Sequence, residues 1–136
     1  MSKDQSRMNI RSGAPWEPLV GYSRAVRVGN FIAVSGCAAV GDDGELVGEG
    51  DVYAQTVRCI EVISAALREA GAGLQHVVRT RIFVTDIELW EDVARAHRQA
   101  FGASPPATSM VEVSKLIDPR MLVEIEANAI VDSDTA

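Results

Sequence analysis

The segment 121–131 alternates between two kinds of side chain with a period of two, and this pattern constrains the fold more than any other part of the chain. One row is apolar: Val123, Ile125, Ala127 and Ala129. The other row is mixed: Leu122, Glu124, Glu126 and Asn128. Because neighbouring side chains on a β-strand point to opposite faces, we predict a strand with its apolar row in a core. Two carboxylates beside apolar residues suit neither a core nor an ordinary solvated surface. We expect other subunits to cover the mixed face, with its charges paired at the boundary; a simply solvated face is the alternative.

Two amphipathic helices are predicted between the strands. The first begins at the N-cap candidate Asp51, has apolar side chains at the spacing of one helix face, and ends before Gly71. The second begins after Asp86 and ends at Gly102. Its predicted apolar face consists of Leu89, Trp90, Val93, Ala94, His97 and Phe101. Each helix therefore has one face to pack against another layer.

Further strands are predicted at 24–28 and 31–36, joined by Gly29-Asn30 in a tight hairpin, and at 77–85 and 108–114. The period of two assigns one row of 77–85 to the helix side: Val78, Thr80, Ile82 and Val84. Arg79, Arg81 and Phe83 then lie on the opposite face, and Thr108, Met110 and Glu112 share one side of 108–114. The order of elements predicts an α+β domain, with one mixed sheet and two helices on one of its faces. We expect a single domain over 1–136, with tails at about 1–8 and 132–136.

Composition and charge narrow the classes of function. The chain has 136 residues, of which 47% are hydrophobic, and this size allows a core without disulfides. A net charge of −6 disfavours nucleic acid as a partner, because its binding is built from cationic contacts. No apolar run reaches the roughly 18 residues that span a bilayer. No apolar stretch of the secretory type follows the polar N-terminal residues. We therefore expect a cytoplasmic protein with no membrane partner.

The cysteines and histidines have no spacing that indicates a reactive centre. Cys37 and Cys59 lie far apart without CxxC or Cys/His motifs, so neither a metal site nor a disulfide is predicted. For Cys37, packing in the core and exposure as a thiol stay open. His76 and His97 have no carboxylate or serine at a spacing that indicates a triad, so structural roles are expected for both.

Two places are candidates for a site. Ser35-Gly36-Cys37 at a strand end offers a backbone N–H, a hydroxyl and a thiol to a ligand, although a Ser-Gly exit is also ordinary turn chemistry. Glu124 and Glu126 lie on the same strand face, and like charges that are close cannot both ionise freely. We expect one of them to activate water and the other to pair with an arginine. The alternative is that both form ion pairs at an interface.

The chain resembles the reactive intermediate (imine/enamine) deaminase family, also called RidA or YjgF. The likeness rests on three stretches taken together: SGAPWEPLVGYSRAVRVGNFIAVSG, GELVGEGDVYAQTVRCIEVISAALREAGAGLQHVVRTRIFVTDIELWEDV and PPATSMVEVSKLIDPRMLVEIEANAIV. It runs from about Gly13 to Val131. The resemblance implies a chorismate-mutase-like α+β domain and a homotrimer whose sheets form a central barrel. It also implies three small-molecule clefts between neighbouring subunits.

The resemblance implies an activity as well. Deaminases of this family hydrolyse reactive 2-imino or 2-enamino acids to 2-oxo acids and ammonia, with no metal or cofactor. An arginine binds the substrate carboxylate, and a glutamate holds the attacking water. By position in the quoted motifs, Tyr22, Ser35 and Gly36 correspond to residues of the cleft, and Glu124 corresponds to the catalytic glutamate.

The family's P-x-R-[ST] motif differs here. The chain has Thr108 where the carboxylate-binding arginine is expected, and Met110 where many members have cysteine. An Arg–carboxylate fork is a charge-assisted contact, so its loss predicts 2-imino acid binding that is weaker by roughly ten- to a hundredfold. The typical activity of the family therefore does not follow from the resemblance alone.

Arg81 is a candidate to supply the missing anion contact from another strand; the alternative is a structural ion pair with Glu112, Glu124 or Glu126. Two functions stay open. One is hydrolytic deamination of an imine or enamine that does not need the arginine. The other is a non-catalytic small-molecule binding or interaction trimer. An endoribonuclease, an older description of the family, is least favoured because the net charge is −6 and no histidine pair is present to cleave RNA.

Overall fold

A computed structural model describes residues 6–132. Within that range the chain forms one mixed six-stranded sheet in the order β1-β2-β3-β6-β4-β5. The strands are β1 (Arg7–Ile10), β2 (Ala25–Val28), β3 (Phe31–Cys37), β4 (Val77–Val84), β5 (Ala107–Glu112) and β6 (Val123–Ile130). The helices are α1 (Trp16–Val20), α2 (Val52–Glu69) and α3 (Trp90–Phe101). Strands β4 and β5 run parallel, and the other neighbours run antiparallel. The predicted α+β class and mixed sheet are confirmed.

The hairpin predicted at Gly29-Asn30 is present. Strand β2 pairs with β3 up to Val28 opposite Phe31, which leaves two residues for the turn. Gly29 has a φ of 61°, in the left-handed region that glycine adopts without strain.

Helix α2 forms where its apolar pattern predicts it. The Asp51 side chain accepts a hydrogen bond from the Ala54 N–H at 3.0 Å and caps the first turn. Cys59, Ile63 and Leu67 are fully buried against the sheet. Each large apolar side chain buried in this way contributes roughly 1.5–3 kcal/mol, so packing rather than helix propensity holds α2 in place.

The second predicted helix begins differently. A 3-10 turn over Ile87–Leu89, capped by the Asp86 side chain, precedes α3, which starts at Trp90. Val93 and Phe101 are buried as predicted. Leu89 is 37% exposed and Trp90 is 50% exposed, so their places on the apolar face were wrong. A 3-10 turn has three residues per turn rather than 3.6, which shifts the first side chains away from the buried face.

Strand β6 lies between β3 and β4, and its alternating pattern is reproduced. The apolar row is buried on the helix side: Val123, Ile125, Ala127 and Ala129. Glu124 and Glu126 lie half buried on the outer face, which we define as the sheet face opposite α2 and α3. The first row therefore forms the centre of the core, and the second faces outward.

The parity predicted for β4 holds for most of the strand and fails at its start. Thr80, Ile82 and Val84 are buried, but Val78 is 44% exposed and Val77 is buried instead. The register between β4 and β6 shifts between Val77 and Arg79. A shift of one residue moves every earlier side chain of the strand to the opposite face of the sheet. The sequence pattern does not show such a shift.

Two short elements near the N-terminus were not predicted. Strand β1 begins at Arg7, inside the segment predicted as a tail, and the five-residue helix α1 brings the number of helices in the described chain to three rather than two. Both elements are too short to show a periodic pattern. The remaining predicted tail residues, 1–5 and 133–136, lie outside the described residues. No helix between residues 6 and 132 is long and apolar enough to cross a membrane.

A buried glutamine fixes the segment that leads into β6. Gln55 on α2 is fully buried, and its amide N–H groups donate to the carbonyls of Gly48 and Arg120, each at 3.1 Å. Its carbonyl oxygen accepts from the Leu122 N–H at 2.8 Å. One side chain thus connects the helix, the loop before it and the start of β6.

Candidate functional site

A groove with a volume of about 1300 Å³ opens beside the C-terminal end of β3. Its floor includes Ser35 and Gly36, where the pairing of β3 with β6 is interrupted between Val34 and Cys37. Such an interruption bends a strand and exposes its backbone to a ligand. Four of the predicted site residues line this groove together: Tyr22, Ser35, Gly36 and Glu124.

Glu124 lies directly against the backbone of Gly36. A Cβ atom at position 36 would lie 2.0 Å from Glu124 Oε2 and 2.9 Å from its Cδ, so only glycine leaves room for the carboxylate in this position. Burial raises the pKa of Glu124, while Arg24 opposes and Glu126 reinforces this effect. Within residues 6–132, nothing donates a hydrogen bond to the carboxylate. A half-buried carboxylate with raised basicity and free lone pairs is suited to act as a general base.

Arg24, immediately before β2, is a residue of the groove that the sequence analysis missed. It is 8% exposed, and its Nη1 donates to the Gly36 carbonyl at 2.7 Å. Its Nε lies 4.0 Å from the Glu17 carboxylate, in an ion pair too long for a hydrogen bond. The sequence feature that could have indicated a role for Arg24 is its position between Tyr22 and the alternating residues of β2.

Glu17, on α1, is the second missed residue. It is 3% exposed, and its carboxylate accepts hydrogen bonds from both the backbone N–H and the hydroxyl of Ser12. A buried carboxylate needs such donors together with a positive charge, and Arg24 provides the charge. Glu17 and Arg24 together connect the N-terminal segment to the floor of the groove.

Tyr22 and Ser35 supply the hydroxyl groups of the groove. The Tyr22 oxygen accepts a long contact from Arg24 Nη2 at 3.5 Å, so its own O–H is left to donate to a ligand. The Ser35 hydroxyl donates to the Ser23 carbonyl at 2.7 Å, so only its lone pairs are left for a ligand. The two hydroxyls therefore offer one donor and one acceptor.

Arg81 lies on the outer face of β4, away from the groove lining. Its Nη1 is 2.9 Å from Glu126 Oε1, which is one of the structural ion pairs considered above. Glu126 is thus the one of the two glutamates that pairs with an arginine, as predicted for one of them. The prediction that the other glutamate activates water stays a prediction.

Thr108 and Met110 lie on the edge strand β5 and do not reach the groove within one chain. The Thr108 hydroxyl is 2.8 Å from the Thr80 hydroxyl, which is in turn 2.9 Å from His97 Nε2. His97 also contacts the Phe101 ring, with the centroids 4.7 Å apart, and burial lowers its pKa. These contacts give His97 the structural role expected of it and direct the Thr108 hydroxyl to the helix side.

The cysteines are buried, free thiols. Burial raises the pKa of Cys37 to about 11, although the Arg24 guanidinium partly opposes this, and Cys59 is shifted upward as well. A thiol with such a pKa is a poor nucleophile at neutral pH, so the structure supports packing for Cys37. In the described part of the chain, no three side chains of His, Cys, Asp or Glu are grouped to hold a metal ion.

Comparison with known proteins connects this groove to a family. Residues 13–131 match the family described as Endoribonuclease L-PSP. A RutC family protein of Pyrococcus abyssi is 42% identical over 115 residues, covering 83% of this chain and 88% of that protein. A protein of Acinetobacter baylyi described as 3-aminoacrylate deaminase RutC is 32% identical over 120 residues, covering 88% of this chain and 94% of that one.

The fold has a solved counterpart. Rv2704 from Mycobacterium tuberculosis, a member of the YjgF/YER057c/UK114 family, is 51% identical in sequence to this chain. Its crystal structure superimposes on this fold with a TM-score of 0.84. The match covers 93% of this chain and 100% of the other.

Proposed function

Since the chain belongs to the YjgF/RutC family, which carries the description Endoribonuclease L-PSP, we propose that it hydrolyses reactive imines or enamines to ketones or 2-oxo acids and ammonia. The observation that carries this proposal is the Glu124 carboxylate, held against Gly36 in an open groove with no hydrogen-bond donor of its own in residues 6–132. The relative described as 3-aminoacrylate deaminase supports the reaction class.

Glu124 is the catalytic residue of the proposed reaction. It removes a proton from a water molecule as the water oxygen bonds to the imine carbon, and the π electrons of the C=N bond move to nitrogen. Protonated Glu124 gives this proton to the nitrogen, and a carbinolamine results. Glu124 then takes the proton of the carbinolamine hydroxyl and passes it to the amino nitrogen, so the C–N bond breaks, the carbonyl group forms and ammonia leaves. An enamine first gains a proton on carbon and loses one from nitrogen, and the imine formed then follows the same course. The Tyr22 O–H is available to donate to the substrate during these steps.

We also propose that the site is completed by a neighbouring subunit in a homotrimer with a central barrel. The outer face presents apolar side chains without a cover: Val28, Phe31 and Ile130 are each at least 40% exposed and lie beside one another by strand register. Thr108 and Met110, which the resemblance assigns to the cleft, lie on a different strand from the groove. Contact between copies would both cover the apolar patch and bring an edge strand towards Glu124.

The assembly can be measured directly. Light scattering of the purified protein is expected to give three times the 14.6 kDa of one chain. Phe31→Lys, which places a charge in the exposed patch, should shift the protein to monomer. Leu19→Lys is the control, because Leu19 is 78% exposed on α1 rather than on the sheet. A monomeric wild-type protein contradicts the assembly.

The second candidate function is a non-catalytic small-molecule binding or interaction trimer. Thr108 favours it, because a neutral hydroxyl engaged with Thr80 stands where the resemblance implies a carboxylate-binding arginine. Endoribonuclease activity is not proposed despite the description of the family. The net charge is −6, and neither histidine is placed in the groove.

The test is the release of ammonia and 2-oxo acid from imines generated in situ by an amino-acid oxidase. Wild-type protein is expected to accelerate hydrolysis, and Glu124→Gln should reduce the rate about a hundredfold or more, because a general base contributes this much. Glu126→Gln is the matched control on the same strand face and should keep most of the rate. If wild type is inactive and Thr108→Arg is active, the groove is competent and the native protein is a binding module.

A further inference from the structure

The Arg24 side chain bonds to a backbone carbonyl at the point where the sheet is irregular. Pairing between β3 and β6 is interrupted between Val34 and Cys37, and Gly36 lies in this stretch. Arg24 Nη1 donates to the Gly36 carbonyl oxygen at 2.7 Å and lies 3.5 Å from Cys37 Sγ. A hydrogen bond from a guanidinium is charge-assisted and stronger than one between two neutral groups. Arg24 therefore stabilises the irregular part of β3 at the floor of the groove.

The backbone of Arg24 contacts the same stretch. Its carbonyl oxygen accepts a hydrogen bond from the Ser35 N–H at 2.9 Å, and its own N–H donates to the Ile10 carbonyl at 2.7 Å. Arg24 thus bonds to both Ser35 and Gly36, which are consecutive residues of the groove floor.

Gly36 connects Arg24 with Glu124. The Glu124 carboxylate lies so close to Gly36 that no Cβ atom fits between them, so any movement of this backbone changes the space for the carboxylate. The guanidinium also lies beside Tyr22, with its carbon 5.6 Å from the ring centroid, which is within the range of about 6 Å for a cation–π contact. Arg24 is therefore in contact with the groups that surround the proposed base.

Stability alone is a weak reason for an arginine at this position. Arg24 is 8% exposed, and its Nε has no hydrogen-bond partner among the described residues. The Glu17 carboxylate, 4.0 Å from Nε, supplies the opposite charge. A buried ion pair adds little stability over apolar side chains of similar volume, because both charges have lost their water.

We propose that Arg24 is a positioning residue: it fixes the Gly36 backbone in the position that places the Glu124 carboxylate in the groove. Its role in catalysis rests on the proposed function, but its effect on the Glu124 carboxyl does not. Because the guanidinium charge also favours the ionised carboxylate, removing Arg24 should change both the rate of hydrolysis and the pH at which Glu124 ionises.

The test is the pH profile of imine hydrolysis by Arg24→Met, together with a ¹³C NMR titration of the Glu124 carboxyl. Burial and Glu126 raise the pKa of Glu124 and Arg24 lowers it, while Cys37 and Cys59 are the other titratable groups that interact with it. Arg24→Met should therefore raise this pKa further and move the acid limb of the rate to higher pH. The value of kcat should fall about tenfold or more, and by a larger factor than KM rises, because the base is displaced.

Arg27→Met is the matched control. Arg27 lies on β2, and its Nη1 also donates to a backbone carbonyl at 2.7 Å, that of Ala70, but it does not line the groove. This variant should keep both the rate and the pKa of Glu124. Arg24→Lys keeps the positive charge without the planar guanidinium, so it should restore the pKa more completely than the rate.

A second variant controls for folding. Arg24→Met leaves the buried Glu17 charge without its partner, so the same change is also made in a Glu17→Gln background and compared with Glu17→Gln alone. An unchanged pKa of Glu124 in this comparison overturns the proposal, as does an equal loss of rate in Arg27→Met. If wild-type protein hydrolyses no imine, the proposed reaction fails, and the shift in the pKa of Glu124 still decides whether Arg24 acts on this carboxyl.

Discussion

Replacing Gly36 with alanine tests whether the position of the Glu124 carboxylate matters for function. The added Cβ would lie 2.0 Å from Oε2, and ordinary van der Waals contact begins near 3.4 Å, so the oxygen must move by about 1.4 Å. The Glu124 carboxylate is half buried and lies at the end of a flexible side chain, so the side chain can move by this distance. The free energy of unfolding should therefore change by only about 1 kcal/mol or less.

The effect on catalysis should be much larger than the effect on stability. A displacement of roughly 1 Å at a reacting group costs on the order of a hundredfold in rate, so Gly36→Ala should lower imine hydrolysis by about that factor. The assay is ammonia release with imines from an amino-acid oxidase, together with chemical denaturation of the same preparations.

A matched glycine provides the control. A Cβ at Gly73 would also meet the end of a flexible side chain, 2.4 Å from Gln75 Oε1, but Gly73 lies outside the groove. Gly73→Ala should keep both activity and stability. If Gly36→Ala remains as active as Gly73→Ala, the contact between Gly36 and Glu124 is not part of the site, and the assignment of Glu124 as the base loses its main support.

Two further predictions concern stability. Gln55→Leu should lower the free energy of unfolding in chemical denaturation by about 3 kcal/mol, because three partly buried backbone groups lose their partners at about 1 kcal/mol each. Gln99→Leu is the control, because it removes one exposed hydrogen bond from a tyrosine hydroxyl. It should change the free energy of unfolding by about 0.5 kcal/mol or less. Equal losses of unfolding free energy in the two variants would contradict the role of Gln55. The free energy of unfolding should also decrease as the pH is lowered below 6.5. Burial lowers the pKa of His97 in the folded chain, so the unfolded chain binds a proton at this residue more readily than the folded chain does. His97→Gln should flatten this dependence and His76→Gln should preserve it; an unchanged slope in His97→Gln would contradict the assignment.

The sequence predicted the elements that have a repeating pattern. The rows of β6 and the apolar face of α2 each continue over several turns or pleats, so their period identifies both the element and the side that is buried. The hairpin followed from a local requirement, the positive φ at Gly29. The elements that were missed or misassigned carry no such pattern: β1 and α1 are four and five residues long, and Val78 was displaced by a shift in register that depends on its partner strand.

For the site, the quoted motifs identified the residues that share the groove but not their electrostatics. Tyr22, Gly36 and Glu124 lie together as the resemblance implied. Arg24 and Glu17 were missed because the sequence does not show that they are buried. Their burial depends on how segments distant in sequence pack, and two buried charges are then stabilised by pairing with each other. The sequence predicts which groups can react, whereas the packing of the folded chain decides which of them are buried and paired.

The central place of β6 has a consequence for how the protein is made. Among residues 6–132 this strand is the last in chain order, yet it lies between β3 and β4 and is the only strand there that joins the two halves of the sheet. During synthesis on the ribosome, the edge of β3 that pairs with β6 stays unpaired until β6, with Glu124, has also been synthesised. Pairing between distant segments of this kind is slow, and open strand edges attract other chains in the meantime. The groove therefore cannot be complete before β6 has been synthesised, and until then β3 and β4 both keep an open edge.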